Sequence, residues 1–196
     1  FGSDGNFTNE LLINTINVDL ANVLGNLVSR TTAMNQKYFG GQLGQGGTSA
    51  ELDGELKALA EEVIVNYEKH MDRFQFSNAL SEVFRLLDRA NKYIDETTPW
   101  ILAKTEDAKP RLLTVMKNLC EAIRISAILI CPFMPDSSKA ILDQLNVAEE
   151  GRVWDARSYD ADKVWTTSTG AALFPRIDME KELAALEELS KAAQKP

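Results

Sequence analysis

Apolar side chains recur at steps of three and four along most of this chain. From Thr8, a suitable N-cap, they fall at Leu12, Ile16, Leu20, Val23, Leu27, Met34 and Tyr38. That spacing predicts an amphipathic helix of over about thirty residues. "GGQLGQGG", residues 40–47, ends it. A second helix is expected from about Ser49, through Leu52, Leu56, Leu59, Val63, Tyr67, Met71 and Phe74. A third follows through Phe76, Leu80, Val83, Leu87, Ala90 and Ile94, and Pro99 stops it because proline cannot continue the ladder. The fourth, from about Lys109 to Cys131, is apolar nearly all round, which is the pattern of a buried central helix. "MPDSSKAILDQLN" supplies a short fifth, with Asp136 or Ser137 as its cap. After Asn146 the helical period lapses, and residues of about 146–178 read as an extended arm lying on the bundle. A Glu/Lys/Ala-rich helix closes the chain. The fold expected is all-α, a bundle of about five helices with an extended C-terminal arm and a terminal helix. Its division is one helical domain with its arm over 1–178 and a helical tail or linker over 179–196.

Composition adds a few limits. The chain has 196 residues, 44% of them hydrophobic and 26% charged, enough for one domain with its own core. No apolar run of about 18 residues is free of charge, so no membrane span is expected. No signal peptide opens the chain, and its first residue, Phe1, suggests a piece of a longer protein. Cys120 and Cys131 lie in the most apolar segment without a C-x-x-C spacing. They are expected as buried, reduced thiols in a cytoplasmic protein. The net charge is -8, with no long basic tract. A non-specific grip on duplex phosphates is therefore excluded, and any nucleic acid must be met through few, well-placed contacts.

Catalytic and metal chemistry find no candidates. "GQLGQGGT" resembles a phosphate loop, but Gly47 occupies the lysine position and the loop follows a helix rather than a strand, so it is expected to be a flexible connection. His70 is the sole histidine and reads as a surface or capping residue. No Ser/His/Asp, G-x-S-x-G or H-E-x-x-H pattern occurs.

Two other features carry more. Asn22, Asn26 and Arg30 are spaced by four and share a helix face, with Gly25 beside them in mid-helix, where glycine costs about 1 kcal/mol against alanine. That cost suggests close approach by another backbone or a ligand. Otherwise Asn26 and Arg30 simply bond to a neighbouring element. Trp100 follows Pro99 directly after a helix stop, either as a wedge closing the bundle or as a platform for a flat partner. An indole just past a helix end, with an Asn/Arg pair on another helix, suits an unstacked base, read by stacking and by its Watson–Crick edge.

"VDLANVLGNLVSRT", "ANKYIDETTPWILAK", "ICPFMPDSS" and "LFPRIDME" occur in order along the chain. Together they resemble the C-terminal half of bacterial methionyl-tRNA synthetases, over residues 1 to about 180. The resemblance implies a helical bundle that recognises the CAU anticodon of methionine tRNA. It implies that Trp100, its turn shaped by Pro99, stacks on cytosine 34, that Asn26 and Arg30 hydrogen-bond to that base, and that Asn22 lends support. It also implies that the ATP-using catalytic domain is absent, so that this fragment has no cofactor and no catalytic residue of its own. Partners are then the tRNA and the protein's own catalytic domain, with a homodimer through a further C-terminal domain as an option. "LFPRID" would belong to the arm that returns toward the catalytic domain. The competing readings are a helical protein-interaction module and the anticodon domain of a related class I synthetase.

Overall fold

The computed structural model describes residues 7–160 and 162–193. Residues 1–6 and 194–196, at the ends of the two expected segments, lie outside the described residues. The helices are α1 (Asn9–Thr15), α2 (Asn26–Phe39), α3 (Glu51–Asp72), α4 (Phe76–Thr97), α5 (Pro99–Leu102), α6 (Lys109–Ile130), α7 (Pro135–Gln144) and α8 (Met179–Ala193). α1 and α2 are joined by a π-helical segment, Ile16–Gly25, into one run, Asn9–Phe39. The Thr8 hydroxyl accepts from the Leu11 amide at 3.1 Å, so the expected cap is real.

The π segment changes which face is buried. The expected stripe began at Leu12, but Leu12 is exposed and its neighbour Ile13 is buried. Further on, the core face is Leu24, Leu27, Val28, Thr31, Thr32 and Asn35, with Met34 and Tyr38 only partly covered. A π-helical ladder bonds i to i+5, so each turn holds extra chain and the side chains leave α-helical register. A stripe read at steps of three and four cannot follow that slip. By length and hydropathy this run could cross a membrane, but Asn17, Asp19, Asn22 and Asn26 interrupt it and its Leu24–Val28 stretch packs in the bundle.

α6 is the centre, as its pattern predicted. Every residue from Val115 to Ile130 is buried, among them Lys117, Asn118, Glu121, Arg124 and Ser126. α3 covers it with Leu56, Ala60, Val63 and Tyr67, and α4 with Val83, Leu87, Ala90, Tyr93 and Ile94. Polar groups lock these helices in place. Tyr67 Oη donates to the Leu129 carbonyl at 2.6 Å, Ser138 Oγ to Ala127 at 2.7 Å, and Asn35 Nδ2 to Cys120 Sγ at 3.1 Å. Burial pushes the Cys120 thiol up to about 12. Cys131 is exposed, contrary to the expectation, because α6 ends at Ile130 and the chain turns out toward Pro132. α7 begins at Pro135 after Met134. Neither Asp136 nor Ser137 caps it, since both lie inside its first turn, while Ser138 instead turns inward to Ala127.

The Gly-rich stretch is pinned rather than loose. Gln42–Leu43 (β1) pairs antiparallel with Trp165–Thr166 (β2), with Leu43 opposite Trp165, and both of those side chains are buried. Gly41 sits at φ +81, and a Cβ there would lie 2.6 Å from the Thr167 carbonyl. Only glycine accepts both that backbone conformation and that approach. Gly41→Ala is expected to cost about 1–2 kcal/mol in urea unfolding. Amide exchange should quicken at Thr167, whose N–H donates to the Gly41 carbonyl at 2.7 Å. Unchanged protection at Thr167 would contradict this.

The arm lies on the bundle as expected, through short 3-10 turns at Glu149–Gly151 and Trp154–Ala156 and the β2 strand. Its anchor was not foreseen. Glu121 and Arg124, almost wholly buried on α6, form an ion pair. Arg124 also donates to the carbonyls of Gly151, Ala156 and Ser158, and Glu121 accepts from the Asp160 amide at 2.9 Å. Trp154 packs on Tyr67 and carries the Arg157 guanidinium over its face.

Candidate nucleic-acid interface

Two chain segments build the candidate surface: the junction of the π segment with α2, and the α4–α5 corner. α4 stops at Thr97, whose hydroxyl donates back to the Tyr93 carbonyl at 2.6 Å. Thr98 then takes the left-handed conformation, φ 43 and ψ 62. That is an outlier for a β-branched residue, and proline after it disfavours helical backbone further. Such strain persists only where the surroundings impose it, and it gathers at binding sites. Pro99 opens α5, where its missing N–H does no harm. The proline is buried and the indole after it is 42% exposed, with Ile101 exposed beside it. The wedge and the platform of the sequence reading are therefore adjacent residues: Pro99 fills the corner and Trp100 faces out. His70, by contrast, serves the far end of α3, pairing through Nδ1 with Gln75 at 2.8 Å.

On the other segment, α2 returns to α-helical geometry at Asn26, so Asn26 and Arg30 do share a face, as i and i+4. Asn26 is exposed and Arg30 is partly covered. Asn22 lies within the π segment, outside that α-helical spacing, and is exposed. Arg30 meets α4 through Asp95, at 3.6 Å, and Asn91 of α4 donates to the Val23 carbonyl at 3.2 Å. These contacts bring the Asn26/Arg30 face against the last turn of α4, immediately before the Pro99–Trp100 corner. Asp95 is the residue that the sequence reading missed. An acid in "IDETTPW" near an otherwise unpaired arginine was the available signal, but a helical count could not say that the two helices touch.

Asp95 is largely exposed, and exposed ion pairs are worth about 0–1 kcal/mol. The pair therefore orients the guanidinium without holding it tightly, and a flat acceptor can take it over. The Gly25 question has a different answer. A Cβ at Gly25 would lie 3.2 Å from the Leu20 carbonyl of its own π segment, tighter than an ordinary contact, and 3.5 Å from the Phe174 ring, where the arm packs at normal distance. Asn17 completes that lock: its side chain donates to the Ile177 carbonyl at 2.9 Å and accepts from the Ile177 amide at 2.8 Å. "LFPRID" is thus docked on the π segment, next to the candidate surface.

Residues 43–186 match the family model described as the anticodon binding domain of methionyl tRNA ligase. The methionine–tRNA ligases of Caldanaerobacter subterraneus subsp. tengcongensis and Clostridium tetani are each 50% identical to this chain, over 95% and 96% of its length. That of Bacillus subtilis is 45% identical over 94%. The chain spans only about 30% of the length of these relatives. The free form of Mycobacterium tuberculosis methionyl-tRNA synthetase superposes with a TM-score of 0.85 at 34% identity, covering 91% of this chain and 36% of that one. The same enzyme bound by methionyl-adenylate superposes with a TM-score of 0.84. Asn22, Asn26 and Arg30 precede the family-model match, whereas Pro99 and Trp100 fall within it.

Proposed function

This chain belongs to the family of methionyl-tRNA ligase anticodon-binding domains, and from that premise we propose that it reads the CAU anticodon of methionine tRNA. The observation that carries the reading is the α4–α5 corner: a strained Thr98, a buried Pro99 and an outward indole, beside a guanidinium that is oriented but weakly held. Trp100 stacks on cytosine 34, the first anticodon base, a contact worth about 1–3 kcal/mol. Arg30 donates to the O2 and N3 acceptors of cytosine, and Asn26, which carries both donor and acceptor, completes the edge. Uracil presents N3–H where cytosine has an acceptor, so an arginine aimed there rejects it. Asn22 lends support from the exposed face of the π segment. None of this needs a basic surface, which fits a chain of net charge -8.

The activity belongs to the whole ligase. There this domain selects the tRNA, while methionine and ATP are handled by the catalytic part that lies outside this chain, in the cytoplasm. Residues 1–178 form the reading domain with its arm, and 179–196 form a tail or linker. The arm docks that domain against the catalytic part, and any homodimer forms through a further C-terminal domain.

The test is a titration of this chain with a CAU-bearing tRNA and with one changed only to uracil at position 34. Trp154 and Trp165 also emit, so Trp100→Ala is the fluorescence control. Weaker binding with uracil, and a loss of about 1–3 kcal/mol in the variant, are expected. Equal affinity for both RNAs would overturn the reading.

A further inference from the structure

Reading one base requires that Trp100 and the Asn26/Arg30 pair keep a fixed separation, although they stand on different segments of the chain. α4 links them. It ends just before the Pro99–Trp100 corner, and its last two turns carry Asn91 and Asp95, spaced by four. Asn26 and Arg30 repeat that spacing on α2. Two polar contacts cross between these segments. The Arg30–Asp95 pair is 3.6 Å long and Asp95 is largely exposed, so it yields readily to solvent. Asn91 is half-buried, and its amide donates to two carbonyls, that of Val23 at 3.2 Å and that of Leu87, on its own helix, at 3.1 Å. The Leu87 bond fixes the side chain on α4, and the Val23 bond fixes what that side chain holds.

Val23 occupies a special place in the first helical run. It lies in the π segment, three residues before Asn26. The Asn26 amide sits where the ladder changes from π to α register. It donates five residues back, to Ala21, and also three back, to Val23. Asn26 N–H and Asn91 Nδ2 therefore share one acceptor, and a path of two hydrogen bonds runs from α4 to Asn26. Such a junction can slip, because two carbonyls compete for one amide. A polar side chain at a helix contact suits the task of stopping it, since it adds little attraction over an apolar one but accepts only one register. Attraction is supplied already by Leu87, Ala90 and Ile94 on the same helix, all fully buried.

We propose that Asn91 is a positioning residue for base recognition. By holding the Val23 carbonyl it sets the register of Asn26, and with it Arg30, against Trp100, and it touches no base itself. The role rests on the reading of cytosine 34 given above. Recognition tolerates a displacement of about 0.5 Å. A slip of one residue along a helix moves a side chain by about 1.5 Å, which is enough to abolish it.

Asn91→Leu keeps the size of the side chain and removes both donated bonds. In the free protein, the Asn26 amide should then exchange faster with deuterium, while amides in the middle of α6 stay protected. Binding is titrated with the CAU-bearing tRNA and its uracil-34 counterpart, well below the melting temperature. The ratio of the two affinities should fall at least about threefold. Ser138→Ala loses one buried hydrogen bond at the contact of α7 with α6 and serves as the structural control. It should lower the melting temperature and leave the ratio unchanged. In a chain already carrying Asn26→Ala, adding Asn91→Leu should lower the ratio by less than it does alone, because both changes act through one residue. A full ratio in Asn91→Leu, or an equal fall in Ser138→Ala, would overturn the positioning role and leave the cytosine reading intact. An unmoved Asn26 exchange rate would overturn it without reference to RNA, and additive losses in the double variant would overturn the route through Asn26. A native chain that binds both RNAs equally would instead overturn the cytosine reading, and this role with it.

Discussion

Glu121→Ala is expected to lower the unfolding free energy by about 3–5 kcal/mol, because it strands the Arg124 guanidinium in the core. The two side chains are 0% and 2% exposed and pair at 2.5 Å, so water cannot replace the lost carboxylate. The damage extends to the arm. Glu121 accepts the Asp160 amide, and Arg124 holds the carbonyls of Gly151 and Ser158. Urea unfolding checks the magnitude, and limited proteolysis within 151–160 checks the release of the arm. Replacing both residues, Glu121→Leu with Arg124→Met, should recover much of the stability, since an apolar pair of similar volume can substitute for a buried ion pair. The arm should nevertheless stay loose in that double variant, because no side chain then reaches its carbonyls. A loss below about 1 kcal/mol in Glu121→Ala would mean that the pair contributes no more than a surface bridge.

Arg30→Ala is expected to weaken binding of a cytosine-34 RNA by about 1.5–3 kcal/mol for each hydrogen bond that it removes. Binding of the uracil-34 RNA should fall little, so the preference between the two bases should shrink. The protein itself should hardly notice, since the Arg30–Asp95 contact is 3.6 Å long and Asp95 is mostly in water. That asymmetry separates a reading residue from a structural one. Arg30→Lys keeps the charge but not the planar fork, so it should restore general affinity more than base preference. Parallel losses for both RNAs would assign Arg30 to phosphate contact instead. A fall in melting temperature matching the fall in affinity would assign it to the packing of α2 on α4.

How much of this could be read from the chain follows a physical division. Periodicity is local, and where the backbone kept α-helical register it gave the right answer. α3, α4 and the all-round apolar α6 stand where their patterns put them, and Thr8 caps α1 through a bond three residues long. The Pro99 stop was legible for the same reason, since proline chemistry acts locally, but whether Trp100 turned inward as a wedge or outward as a platform was decided by the fold. Family motifs then pointed to Asn26 and Arg30. The register slip over Ile16–Gly25 was not legible. A π segment is favoured by what packs on it, here Phe174 against Gly25 and Ile177 on Asn17, from residues far along the chain.

What only the tertiary structure decided is where polar residues found their partners. Lys117, Asn118, Glu121 and Arg124 interrupt a helix whose pattern is otherwise apolar nearly all round, and all four are buried, so what each meets was decided by the elements packed around α6. Asp95 meets Arg30 because two helices cross there, and the Gly-rich loop became a strand because β2 came to it from the arm. The sequence by itself determined most of the helices and the proline stop after α4, through contacts a few residues long, and it carried the motifs of the family. The fold determined the pairing of charges and the shape of the sites, because burial forces each polar group to find a partner and the sequence does not say which segment will be near enough to supply it.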